Sequence, residues 1–292
     1  MSMLNTVLKT TQQEFTGQAL QQGSSFYYTM LGVTDPARRD AAAALFWLYK
    51  SFKRCCFGAT SPEPAVAQLH WWQQEIQRLQ QAEPAHPATR LLLQARPLAD
   101  SVRLTGALQQ MLQQFAAVLQ TQPFADTAAL QAYLDATGGH LAVGLARLLA
   151  PAGAAHGQSV NALRRLGAAL ELSSFLKHLG HTARTRVELL PLPWRRQSGC
   201  LTAAHLKADP IPLVDALRQQ VRTALTGALD EVHAHKLPGS GPALVAAALN
   251  LQWLKLVDKD PAALLRARIK LTPLRKYWTA RRITRNEKAV FQ

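Results

Sequence analysis

Apolar side chains spaced three and four residues apart recur from one end of the chain to the other, interrupted by short clusters of proline, glycine and polar residues. A helix turns once in about 3.6 residues, so this spacing gathers apolar groups on one face, whereas a half-buried strand needs strict alternation. Leu45, Leu48, Phe52 and Cys56 form one stripe; Val66, Leu69, Trp72, Ile76 and Leu79 form a second; Leu104, Leu108, Leu112, Phe115 and Leu119 form a third. Leu130, Tyr133, Leu134, Leu141, Leu145 and Leu148 continue the series. Val160, Leu163, Leu166 and Leu170 open another helix behind Ser159, a residue type suited to an N-cap. Further stripes run from Leu213 through Val221 to Val232, and from Pro242, in a first helical turn, to Trp253. Ala, Leu, Gln and Arg are strong helix formers and are abundant. The pattern predicts an all-α protein.

The interruptions are Thr34-Asp35-Pro36, Ser61-Pro62-Glu63-Pro64, Pro84-Ala85-His86-Pro87, Pro151-Ala152-Gly153, Pro191-Leu192-Pro193 and Pro238-Gly239-Ser240-Gly241-Pro242. None has the length or polarity of an interdomain linker, which predicts one domain over residues 1–292 with its core at about 20–280. Residues 281–292 read as a basic tail expected to be disordered.

Charge narrows the partners. The 292 residues carry 33 Lys and Arg against 18 Asp and Glu, a formal +15, which favours phosphate-bearing groups such as lipid headgroups, diphosphates or nucleic acid. No helix-turn-helix, zinc-finger or RNP pattern accompanies the charge, so no specific nucleic acid is expected. Three cysteines, two of them adjacent (Cys55 and Cys56), make no disulfide or metal framework and fit a reducing compartment. With neither a secretory leader pattern nor a run of ~20 apolar residues, a cytoplasmic protein is expected, peripheral to the inner face of the membrane.

Several blocks resemble the squalene/phytoene synthase family. Ser24-Ser25-Phe26-Tyr27-Tyr28 is similar to the family's opening aromatic block, and Ala37-Arg38-Arg39 follows it. Leu69-His70-Trp71-Trp72-Gln73-Gln74-Glu75-Ile76 and Pro84-Ala85-His86-Pro87 resemble its L-x-W-W-x-x-E-[IL] and P-x-H-P blocks. Leu166-Gly167-Ala168-Ala169-Leu170 and the stretch from Arg268 to Lys276 match later segments. The resemblance implies the isoprenoid synthase fold, a single helical bundle around a central apolar cavity. It also implies two D-x-x-x-D motifs facing each other across the cavity mouth. Aspartates four apart share a helix face, and magnesium held by two such faces would offset the charge on a departing diphosphate.

The sequence departs from that pattern where the chemistry lies. Alignment on Arg38-Arg39 puts the first motif at Lys53-Arg54-Cys55-Cys56-Phe57, with Lys53 and Phe57 in the aspartate positions and Lys50-Ser51 upstream. Alignment on Leu166-Gly167 and Pro191 puts the second at His178-Leu179-Gly180-His181-Thr182, with His178 and Thr182 in the aspartate positions behind Lys177. All four carboxylates are absent, and an acidic rim has become basic. Like charges repel by about 4 kcal/mol at ~4 Å and an effective dielectric near ~20, so this rim opposes a divalent cation.

The candidate ligand-binding residues are therefore Tyr28, Lys50, Lys53, Arg54, Phe57, Lys177, His178, His181 and Thr182, with no catalytic or metal-binding residue assigned. The cations either bind a diphosphate directly or form a solvated helix end. A zinc site of His178 and His181 with Cys55 or Cys56 is the minor alternative. Phe26, Tyr27 and Tyr28 either line the cavity or pack in the core, Trp71 and Trp72 read as packing, and the basic C-terminus rests on anionic lipid or serves as a solubilising tail.

The functional expectation is a non-catalytic family member. It would bind a prenyl diphosphate or lipid-like ligand, or act as an assembly factor with a protein partner, as a complex I assembly factor of this family does. No cofactor is expected. The alternative is an active head-to-head prenyltransferase with an atypical diphosphate site, for which magnesium would be needed.

Overall fold

A computed structural model describes residues 16–57, 62–95, 98–120, 124–151, 159–179, 190–199 and 211–287. Its helices are α1 (Ser25–Thr29), α2 (Pro36–Phe57), α3 (Pro62–Gln80), α4 (Pro87–Gln94), α5 (Leu98–Gln120), α6 (Thr127–Leu134), α7 (His140–Leu149), α8 (Val160–Lys177), α9 (Leu192–Gln197), α10 (Ile211–His235), α11 (Gly241–Val257), α12 (Ala263–Arg266) and α13 (Pro273–Asn286). A single π turn, Asp135–Gly139, joins α6 to α7. No strand occurs among the described residues.

Local chemistry sets the helix starts. The hydroxyl of Ser24 accepts from Tyr27 N at 3.1 Å ahead of α1, and Asp126 and Thr272 cap α6 and α13 in the same way. Asp35 Oδ1 accepts from Ala37 N at 2.9 Å and starts α2. Proline occupies the first turn of α4, α11 and α13, where its missing N–H costs nothing. Ser159 precedes α8 as expected but makes no side-chain cap bond.

α2 runs through the middle of the bundle, with Leu45, Leu48 and Phe52 wholly buried. It packs against α4, α5 and α7, while α8 packs between α10 and the π turn. The approach of α8 to that turn is backbone on backbone. A Cβ at Gly167 would lie 2.2 Å from the carbonyl of Gly138, and one at Gly138 would lie 2.4 Å from that of Gly167. The inserted residue also shifts the helical phase: Leu141 and Leu145 are half-buried, and Ala142, Val143 and Ala146 turn into the core. In α3, Ala65 rather than Val66 is buried.

The tryptophan and P-x-H-P blocks form one clasp. His86 stacks on Trp47 at 5.1 Å and meets Trp72 edge-on at 5.2 Å, while its Nδ1 accepts from Ala88 N to cap α4. Glu75, wholly buried, accepts from His86 N at 2.7 Å and from the Thr89 hydroxyl at 2.5 Å. Trp72 is core as expected, and Trp71 is 41% exposed. Residues 281–286, expected in the tail, continue α13 as helix, and residues 288–292 lie outside the described residues.

Overpacking at the α8 crossing is testable. Gly167→Ala should lower stability by about 1–3 kcal/mol in urea denaturation. Gly106→Ala and Gly227→Ala, mid-helix with nothing within 4 Å of the new Cβ, should raise it by up to about 1 kcal/mol through helix propensity.

Candidate functional site

The last turns of α2 and α8 come together at one end of the bundle, and each carries cations, Arg54 on α2 and Lys177 on α8. Helix C-termini carry partial negative charge, which favours cations there. Lys53 is the pivot. Its Nζ donates to Glu171 Oε1 at 2.6 Å, to Ser174 Oγ at 2.9 Å and to Tyr49 Oη at 3.2 Å. Glu171 is only 3% exposed, and its other oxygen accepts from the Tyr49 hydroxyl. Burial, then the neighbouring carboxylate, pushes the Tyr49 phenol well above its ordinary range, so it remains a donor. A buried carboxylate needs a counter-charge and filled lone pairs, and these groups supply both.

One turn further along α8, Lys177 donates to Asn250 Oδ1, which also accepts from Ser173 Oγ at 2.6 Å. Its ammonium lies 4.9 Å from the Trp253 ring centre. Burial, followed by repulsion from Lys276, Arg268 and Lys53, lowers its pKa to about 8. His178 donates from Nδ1 to the Ser174 carbonyl at 2.7 Å, since a carbonyl can only accept. Burial lowers the His178 pKa, and Lys53, Lys50 and Arg268 press it the same way. Lys50, exposed at its surface, is lowered by the protein packed along it and by Lys53, Arg268 and Arg54, with Glu171 opposing.

Tyr28 joins through Lys276. That ammonium donates to the Gly23 carbonyl at 2.6 Å and sits 5.7 Å from the Tyr28 ring centre. Burial, then Lys270 and Arg268, lowers the Lys276 pKa.

The structure therefore brings Tyr28, Lys50, Lys53, Lys177 and His178 to one mouth. Arg54 is exposed on its edge, within 3.5 Å of Ser51 Oγ. Phe57 turns toward the core, its ring 6.5 Å from Phe115. His181 and Thr182 lie outside the described residues. Sequence reasoning missed Tyr49, Asn250 and Trp253 as partners, and it assigned Arg268 and Lys276 to a membrane or solubilising stretch. Their place in a block matching the family was the available signal.

A magnesium ion does not fit this donor set. The carboxylate at the mouth, Glu171, is occupied by Lys53 and Tyr49, and no group of three His, Cys, Asp or Glu side chains converges among the described residues. Cys56 donates to the Phe115 carbonyl at 3.1 Å, and burial raises its thiol pKa, as burial does for Cys55. Below the mouth, where the cavity is expected, Tyr49, Phe115 and Tyr133 pack ring against ring with centres 6.0 Å apart, Tyr133 and Phe115 wholly buried.

The profile of the squalene/phytoene synthase family matches residues 20–275. No curated protein sequence matches the chain. Among solved structures, a dehydrosqualene synthase in complex with ligand is similar at 16% identity and TM-score 0.76, covering 97% of this chain and 99% of that one. YisP from Bacillus subtilis subsp. subtilis strain 168 is similar at 15% identity and TM-score 0.64, covering 94% and 96%. The squalene synthase HpnC from Alicyclobacillus acidocaldarius is similar at 12% identity and TM-score 0.61, covering 97% and 96%. At these identities the likeness establishes the all-α isoprenoid synthase fold. No helix among the described residues is long and apolar enough to cross a membrane.

The depressed Lys177 amine has a pH signature. The folded protein resists the ammonium, so the penalty is full below pH about 8 and fades as pH rises toward the ordinary lysine value of 10.5. Lys177→Met should be more stable than the parent by about 1–2 kcal/mol at neutral pH, because a half-buried ammonium that meets no counter-charge among the described residues is replaced by an apolar group. That advantage should shrink between pH 8 and 10.5, as measured by paired urea titrations of variant and parent.

Proposed function

Because the chain belongs to the squalene/phytoene synthase family, we propose that it holds a prenyl diphosphate, or a lipid with a comparable anionic headgroup, by direct contact with cationic side chains and leaves it intact. The observation that carries this reading is the position of Lys53. A D-x-x-x-D position that would help recruit a metal instead supplies a fixed ammonium, locked to Glu171, Tyr49 and Ser174. Around it lie Lys50, Lys177, Arg268 and Lys276, in no ion pair among the described residues; burial, reinforced by neighbouring cations that include Arg268, lowers the pKa of all three lysines. A diphosphate entering between them would relieve that repulsion and accept charge-assisted hydrogen bonds.

Binding of this kind does not break the carbon–oxygen bond. In the family's reaction the charge that develops on the leaving diphosphate is met by magnesium. Lysines here hold the anion but bring no ion that travels with it. Each ammonium is tethered, and two of them are committed to Asn250 and the Gly23 carbonyl. The mouth is thus a capture site for the headgroup.

A second reading, an assembly factor that works through a protein partner, draws its support from the packed rings of Tyr49, Phe115 and Tyr133. They pack below the mouth, where the family resemblance implies a cavity. In that case the mouth would recognise an acidic segment of the partner.

Differential scanning fluorimetry with farnesyl or geranylgeranyl diphosphate distinguishes these readings. The melting temperature should rise equally in EDTA and in Mg²⁺, with a stabilisation of about 2.7 kcal/mol at a ligand concentration of ~100 Kd. Lys177→Met with Arg268→Ala should abolish the shift. Lys53 is unsuited to this test, because removing it leaves Glu171 buried without a counter-charge. No shift with either diphosphate removes the ligand reading in favour of the partner reading. Magnesium-dependent pyrophosphate release would overturn both and establish an active prenyltransferase.

A further inference from the structure

A second basic surface lies on the other face of the helices that build the mouth. The C-terminal half of α11 and the length of α13 enclose an open groove of about 1030 Å³. Six Lys and Arg side chains line it, among them Lys255, Lys259, Arg281 and Arg285, and no Asp or Glu does. No ion pair among the described residues engages any of the six. On the same face of α13, Leu274 is 66% exposed and Trp278 60% exposed. Residues 274, 278, 281 and 285 follow one another at helical spacing, so the apolar pair and the arginines share one stripe.

We propose that this groove docks the protein on an anionic phospholipid bilayer, with headgroup phosphates among the cations and Trp278 and Leu274 entering the interface. The charge supplies attraction to anionic headgroups. The apolar pair separates a bilayer from other polyanions: Leu274 finds no complementary apolar surface on a nucleic acid or an acidic peptide, whereas an indole and a leucine flanked by arginines match the headgroup–acyl boundary. Arg281 reinforces this by donating to the Tyr277 hydroxyl at 3.0 Å and lying 5.9 Å from its ring centre, which holds a cation beside an aromatic at the groove's edge. The opposite side of α13 is anchored, with Ala280 fully buried and Lys276 bonded to Gly23, so the stripe is presented rigidly.

Co-sedimentation of the full chain with vesicles of phosphatidylcholine alone, or of equimolar phosphatidylcholine and phosphatidylglycerol, tests the proposal. Binding is expected to the mixed vesicles, weakening as salt is raised. Each cation near an anionic surface contributes about fivefold to partitioning, so Arg281→Glu, Arg282→Glu and Arg285→Glu combined should lower it by about a hundredfold or more. Trp278→Ala should lower it several-fold with the salt dependence unchanged. All four side chains are exposed, and an unchanged melting temperature verifies the fold of each variant. Equal binding to both vesicle types, or parental binding by the triple variant, overturns the proposal. Tighter retention on single-stranded DNA or polyglutamate than on mixed vesicles at matched salt does so as well. Lys177→Met, which removes one cation of the mouth and none of the groove, should leave partitioning unchanged, so this proposal and the ligand proposal fail separately.

Discussion

The ion pair between Lys53 and Glu171 is the constraint around which the mouth is organised. Glu171 is buried, and it lies against the π turn, where the backbones of Gly138 and Gly167 nearly touch. A carboxylate at such a place is tolerated only with its charge matched and its lone pairs filled. Lys53 provides the charge, and the Tyr49 hydroxyl fills the remaining oxygen. Once that carboxylate is spent internally, the cations further out form no ion pair among the described residues, and burial, followed by repulsion from neighbouring cations, lowers the pKa of Lys177 and Lys276. A cation built into the chain differs from one recruited from solution. It is always present, and it cannot leave with a departing group.

The clasp of Trp47, Trp72, His86 and Glu75 explains how the fold is retained while the chemistry-bearing positions differ. These residues tie α2, α3 and α4 together by ring stacking, a helix cap and a buried carboxylate with three donors. None of them stands at an aspartate position of the family's two motifs. The blocks by which the chain most resembles its family are therefore blocks of packing, and their presence carries the architecture alone. The motif positions among the described residues, Lys53, Phe57 and His178, lie near the C-terminal ends of α2 and α8, outside the clasp.

Much of this was legible in the sequence. The stripes through Leu45, Leu108 and Leu217 became helices because a period of three and four residues has one structural meaning. The basic character of the motif positions was legible too, since Lys53 and His178, with Lys177 beside it, stand at positions fixed by neighbouring blocks. The phase shift after Leu134 was not, because a π insertion leaves the run of apolar residues unbroken and changes only which of them face inward. Nor was the division of labour along α13. Nine basic residues from Arg266 to Lys288 read as one class in sequence. Only the packing of α13 on the segment around Gly23 and Tyr28, some 250 residues earlier, turns Lys276 to the mouth and leaves Arg281 and Arg285 on the far side.

That division links the two surfaces physically. α11 presents Asn250 and Trp253 to Lys177 on one face and Lys255 to the groove on another, with Lys259 in the turn just past its end; α13 does the same with Lys276 and Trp278. Both helices are anchored along their inner sides, by Leu249, Leu254 and Ala280 among others, so neither can move without disturbing the core. A bilayer bound at the groove would therefore hold the mouth in a fixed orientation relative to the headgroups, because the same two anchored helices carry both surfaces.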